Sequence, residues 1–126
     1  MGIKMRYGAG ERLRPANAQI DLLWENPSPS SDFAAQKVAL SLSAYKFVII
    51  VATASTTDAN GGFAFGRVGD GITYNIMLRN YNTNVLLSYA RTFTVDSTGV
   101  TFSTGMSDTS QTDGRAIPRA IYGVKF

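Results

Sequence analysis

The fold this sequence predicts is all-β: a single-domain antiparallel β-sandwich, jelly-roll-like in arrangement. Three observations predict it. From Ile20 onward, short runs rich in Val, Ile, Thr, Tyr and Phe alternate apolar with polar residues, the period of a half-buried strand. Clusters of Gly, Pro, Asn, Asp and Ser interrupt these runs at about 8–12-residue spacing, as in sandwiches and barrels. No stretch carries apolar residues at helical spacing. The chain has 126 residues. That length suits one domain, which buries roughly two-thirds of its unfolded surface and needs no covalent staples.

The elements follow in order. Residues 1–19 show neither strand nor helix period and are punctuated by Gly8, Gly10 and Pro15; they read as a basic extended leader or linker, with the head domain at 20–126. Ile20, Leu22 and Trp24 alternate with Asp21 and Leu23. Asn26-Pro27-Ser28-Pro29 ends that strand, because proline lacks the ladder N–H. Val38, Leu40 and Leu42 alternate with Lys37, Ala39 and Ser41. Tyr45 to Thr53 is aromatic, β-branched and apolar on both faces, which fits a central strand covered on both sides. Asp58-Ala59-Asn60-Gly61-Gly62 reads as a turn, and Phe63, Phe65 and Arg67 share one face of a short strand. Gly69-Asp70-Gly71 signals a tight hairpin into a strand through Ile72, Tyr74, Ile76 and Leu78. Asn80 to Asn84 reads as a polar loop and Val85 to Val95 as a long strand. Asp96-Ser97-Thr98-Gly99 forms a four-residue hairpin loop, with glycine where φ turns positive. Val100 to Ser103 returns. Thr104 to Arg115 reads as a long loop, and Ile117 to Lys125 as a closing strand with Pro118 at its start. Trp24, Phe47, Phe93, Phe102 and Tyr122 follow the alternation into the core.

Composition excludes many functions. The chain has no His and no Cys, which removes the commonest general base, the thiolate nucleophile and the usual zinc ligands. No phosphate-binding loop or nucleophile elbow is present. Asp58, Asp70, Asp96, Asp108 and Asp113 all sit in turns, where aspartate caps its own backbone, so paired-carboxylate glycosidase chemistry is not expected. Asp58-Ala59-Asn60-Gly61 matches half of a calcium loop with no following Glu. The reading is a non-enzyme with no metal and no cofactor.

The net charge is +3. Lys4, Arg6, Arg12 and Arg14 against Glu11 place it all in the leader and leave the body neutral. A nucleic-acid module carries its basic stripe on the body, so no nucleic-acid partner is expected. The four leader cations suit docking on an acidic partner surface. The longest apolar run, Phe47 to Ala52, is far below the ~20 residues of a membrane span, and Met1 to Pro15 has no apolar signal region. Neither membrane insertion nor a secretory signal is expected. Tyr81 with its neighbours Asn82 and Asn84, together with Asn60 and Phe63, supplies the aromatic-plus-amide chemistry that stacks on a sugar ring and bonds its hydroxyls. These are the candidate ligand-binding residues, on loops where recognition usually sits.

Four segments carry a resemblance. They are Leu22-Leu23-Trp24-Glu25-Asn26-Pro27-Ser28-Pro29, Phe33-Ala34-Ala35-Gln36-Lys37-Val38-Ala39-Leu40, Leu42-Ser43-Ala44-Tyr45-Lys46-Phe47-Val48-Ile49-Ile50, and Arg115-Ala116-Ile117-Pro118-Arg119-Ala120-Ile121-Tyr122-Gly123-Val124-Lys125. Together they resemble the C-terminal head domain of tail-fibre, head-fibre and related virion proteins from phages and prophages of Gram-positive bacteria. The resemblance spans residues 20–126. It departs at Ala116, where such heads often carry Cys, and in the short leader, where they usually follow a long shaft.

The resemblance implies a homotrimer on the virion, made in the host cytoplasm, that contacts other virion proteins. It also implies recognition of a host-surface polysaccharide or protein. It carries over no individual binding residue. A trimer axis needs apolar residues left over once each sandwich closes, which Phe47 to Ala52 and Ile117 to Val124 can supply. The alternatives are a capsid decoration or head-fibre protein without a receptor role, and a stand-alone carbohydrate-binding module.

Overall fold

The alternating runs become nine strands among residues 19–82 and 85–126, the residues described by the computed structural model. They are β1 (Gln19–Glu25), β2 (Gln36–Ala39), β3 (Phe47–Ser55), β4 (Gly61–Arg67), β5 (Tyr74–Asn82), β6 (Val85–Asp96), β7 (Gly99–Phe102), β8 (Met106–Ser107) and β9 (Arg115–Lys125). One sheet has the order β1-β9-β3-β4 and the other β2-β7-β6-β5, with β8 also pairing β6. Every pairing is antiparallel. The fold is a β-sandwich, as the alternation predicts. The leader cations Lys4, Arg6, Arg12 and Arg14 lie outside the described residues.

The core fills the space between the two inner faces. Val48, Ile50, Ala52 and Ile121 of one sheet meet Ile76, Leu78, Phe93, Val95, Val100 and Phe102 of the other. Phe33, on the connection between β1 and β2, meets Trp24 edge to face at 6.0 Å and Phe102 at 5.4 Å. Phe47 and Tyr122, expected inside, are on the outer face instead. Their register partners Val124 and Ile49 point the same way, and only the alternate residues Val48 and Ile121 reach the core.

Gly69-Asp70-Gly71 corrects the expectation of a hairpin. β4 and β5 do not pair; they belong to different sheets. Residues 68–73 carry the chain between them, with Val68 N–H on the Lys46 carbonyl and Gly69 N–H on the Val95 carbonyl. Tyr81 and Asn82, expected in a loop, continue β5 and pair through their backbones with Leu86 and Val85. The expected strand at Ile72 begins only at Tyr74, and the expected loop at 104–115 contains β8. Pro118 lies inside β9 rather than at its start. It sits at a register shift between Pro118 and Ala120, where a missing N–H is tolerated.

Gly62 and Gly66 explain how closely β4 approaches the second sheet. A β-carbon at Gly62 would stand 2.5 Å from Leu78 Cδ2, and one at Gly66 would stand 2.7 Å from Phe93 Cε2. Gly66→Val is therefore expected to cost about 1–3 kcal/mol through overpacking. Urea denaturation measures it, and an unchanged midpoint would contradict the close approach. Gly99, at φ 153, closes the β6–β7 turn. A side chain there would strike the Val38 carbonyl at 2.2 Å.

These contacts also set the ends of the molecule. Gln19 pairs with Lys125 and Phe47 with Arg67, so both the start of β1 and the end of β9 lie at one end. Thr53 pairs with Gly61 at the other end. Gly62 packs on Leu78, whereas Gly66 packs on Phe93, the partner of Tyr74. The 56–60 connection and the Asn82–Val85 end of β5 and β6 thus share the end away from Gln19.

Arg91 is buried completely at the centre of β6. Its Nε donates to the Ala116 carbonyl at 2.9 Å. Nη1 donates to the carbonyls of Phe33 (2.8 Å) and Ser103 (2.7 Å). Nη2 donates to those of Asp113 (3.3 Å) and Arg115 (2.8 Å). A guanidinium has five N–H donors, and five carbonyls receive them. The guanidinium also lies 5.3 Å from the Phe33 ring centre. Burial lowers its pKa to about 10, which still leaves it charged at neutral pH. Ala116 adopts φ 48, a region costly for a residue with a β-carbon, and there its carbonyl meets Arg91.

Three aspartates are held below the ordinary value of 3.8. Tyr45 donates to Asp21 at 2.7 Å, Tyr74 donates to Asp70, and the Thr98 hydroxyl and N–H donate to Asp96. A lowered carboxylate stabilises the fold above the unfolded pKa and loses that contribution as pH falls through the folded one. Stability is expected to decline on acidification below about pH 4. The double variant Tyr45→Phe, Tyr74→Phe should flatten that decline; an unaltered acid profile in thermal melts would contradict the assignment.

Candidate interaction surface

The outer face of β1-β9-β3-β4 is built from the second phase of strands that are apolar in both phases. Its rows follow from the register. Ile20, Val124 and Phe47 form one row, ending on Arg67. Leu22, Tyr122, Ile49 and Phe65 form the next, and Ala120, Val51 and Phe63 the third. Ile20 is 62% exposed, Phe63 63% and Phe65 56%, with Leu22 and the C-terminal Phe126 about half exposed. Phe63 and Phe65 meet edge to face at 5.4 Å, and Phe126 stacks on Phe47 at 6.2 Å. Two shallow concavities, of about 430 and 540 Å³, lie between these side chains, and every residue lining them is apolar or tyrosine.

Among the described residues, charges occur only at the margin, where Lys46 Nζ lies 5.6 Å from the Phe126 ring centre. Glu25 opposes Ala120 at one corner and Arg67 opposes Phe47 at another, while Arg119 donates to the Thr53 hydroxyl at 3.0 Å. The outer face of the other sheet is different in kind. Lys37, Thr101 and Thr94 form one row and Asn75 with Thr92 another. Met77, Ala90 and Met106 form a short apolar row there, and Leu86 is exposed as well; scattered exposed apolar residues of this kind are ordinary for a protein surface. The first face is thus apolar in three consecutive rows across four strands, whereas the second is mostly polar. The five most exposed side chains of the apolar face present on the order of 600 Å² between them, at ~200 Å² per large apolar side chain. That is the upper end of what a monomer shows.

The expected ligand-binding residues do not converge in the way the sequence suggests. Phe63 is a strand residue on the apolar face, displaced from the expected loop because Gly61 and Gly62 already belong to β4. Asn60 is in the turn, its N–H on the Asp58 carboxylate at 3.0 Å. Tyr81 and Asn82 are strand residues by backbone pairing; their side chains, and Asn84 entirely, lie outside the described residues. Among the described residues no three carboxylates gather as metal ligands do, and no helix is long and apolar enough to cross a membrane. Sequence reasoning did single out Phe47 to Ala52 as left over for an axis. It missed Ile20, Leu22, Phe65 and Phe126; Ile20 and Leu22 share the alternation phase of Trp24, which was expected in the core. No protein-family model matches the chain, and no curated protein or solved structure matches it either.

Proposed function

We propose that this protein is a phage virion component: a homotrimeric fibre head that attaches to the host surface, with the outer face of β1-β9-β3-β4 as its subunit interface. The observation that carries the reading is that face, apolar across all four strands and charged only at its corners. An unassociated sandwich gains nothing from presenting three phenylalanines to water. A second copy of the same chain is the occupant that fits best. A neutral body repels no copy of itself, and corners of opposite sign, Glu25 and Arg67, let the acidic corner of one copy meet the basic corner of the next in a head-to-tail ring. A stable interface buries ~800 Å² per partner, a size this face approaches from its five most exposed residues alone.

The polarity of the chain supports attachment. Gln19, the first described residue, lies at one end, and the 56–60 connection and the β5–β6 end lie opposite, where a head docked by its Gln19 end would present them outward. Three weak sites on one trimer also gain avidity. The experiment is a sedimentation assay in which labelled trimer is spun with cells of a panel of Gram-positive strains. Saturable retention on at least one strain is expected. A folded trimer retained by none would remove the attachment role and leave that of a decoration protein.

A further inference from the structure

The sandwich closes unevenly at its two sides. On one, β4 lies tight against the second sheet through Gly62 and Gly66. On the other, the edge strands β1 and β2 are bridged by residues 26–35, and a groove of about 440 Å³ opens there. Small-molecule sites typically measure ~300–1,000 Å³. The Trp24 indole is partly exposed in the groove, and the buried Phe33 ring supports it. Asp32, Gln36 and Ser28 add a carboxylate, an amide and a hydroxyl.

The polar groups are held in place. Gln36 donates through Nε2 to the Ala34 carbonyl at 3.0 Å. Asn26 donates to the Pro118 carbonyl at 2.9 Å and accepts the Ser28 N–H at 2.8 Å, which fixes the wall. Asp32 rests against Gly114, where a β-carbon would stand 3.0 Å from Oδ1. Among the described residues no lysine or arginine lines the groove.

We infer that this groove binds a neutral saccharide unit. A sugar ring offers an apolar C–H face and an edge of hydroxyls. The indole takes the first, since it is a large flat apolar surface with a polar tip. The Asp32 carboxylate accepts from two adjacent hydroxyls, and the Gln36 amide and Ser28 hydroxyl both donate and accept. An anionic polymer is the wrong ligand, because Asp32 is the one charge lining the groove among the described residues, and burying like charges together is unfavourable. The inference deepens the attachment reading and rests on it only for the source of the sugar. The groove itself is complete within one chain.

Trp24 is the chain's single tryptophan, so emission excited at the red edge, where indole absorbs and the six tyrosines do not, reports on the groove. The test titrates the full chain with methyl α-glucopyranoside, methyl β-galactopyranoside, N-acetylglucosamine and glycerol 3-phosphate, with native mass measured on the same sample. At least one neutral sugar should shift the emission saturably, while glycerol phosphate leaves it unmoved. Asp32→Ala should weaken that binding about tenfold or more, the loss of a charge-assisted bond, with the emission of the unliganded protein preserved. No saturable shift with any neutral sugar would overturn the inference. So would undiminished binding by Asp32→Ala, or an equal response to glycerol phosphate. A trimer silent to sugars fails the groove and keeps the trimeric head; a monomer that binds sugar keeps the groove and fails the trimeric head.

Discussion

Replacing Arg91 with leucine is expected to cost about 3–5 kcal/mol, the scale for stripping a buried charge from its partners. Whole domains are stable by only ~5–15 kcal/mol. Buried ion pairs can often be exchanged for apolar residues at little cost, because both partners go together. Here that escape is closed. The partners are the backbone carbonyls of Phe33, Ser103, Asp113, Arg115 and Ala116, which no substitution removes. Each carbonyl left dry costs on the order of 1–3 kcal/mol, lessened where the loop relaxes toward water. Arg91→Lys should recover only part of the loss, since an ammonium has three donors and no fork. The Arg91 bonds also tie residues 103–116 to the connection that carries Phe33. Amide exchange in both segments should therefore accelerate together in Arg91→Leu. A loss below about 1 kcal/mol in urea denaturation would mean that the five bonds do not hold the fold.

Phe65→Asp is expected to break the assembly without unfolding the chain. The ring is 56% exposed in the single chain, so its removal costs the isolated sandwich little. Exposed positions usually change stability by under ~0.5 kcal/mol. In an interface the same change places an unpaired carboxylate among Ile49, Tyr122 and Phe63. Central aromatic positions of interfaces typically contribute ~2–4 kcal/mol, so self-association should weaken by about a hundredfold or more. Met77→Asp provides the contrast. Met77 is 57% exposed on the outer face of the other sheet, and its substitution should leave the native mass unchanged. Equal effects from both variants would mean that the apolar face is not the contact.

Much of the fold is legible in the sequence because strand alternation is local. Ile20, Leu22 and Trp24, or Val38 and its neighbours, announce a strand without reference to anything distant. Partner choice is not local, and there the sequence misleads. Gly69-Asp70-Gly71 has hairpin chemistry, with both glycines at positive φ, yet the same chemistry serves a crossing between sheets. Local alternation is the same for a strand covered on both sides and for one covered on one side with an apolar face left exposed on the other. Phe47, Ile49 and Val51 look identical in the two cases. Arg91 is invisible for a related reason. Its partners are carbonyls, which every residue has, so nothing marks it among the other arginines. The groove escapes notice because Trp24 and Gln36 lie on strands of different sheets, joined only once the chain crosses between them.

Light scattering on the eluting peak of a sizing column tests the central claim most directly, because the trimer and its apolar interface stand or fall with the mass. The account predicts about 41 kDa, three chains of 13.6 kDa each in a closed ring. A peak of 13.6 kDa that persists as the protein is concentrated would contradict it.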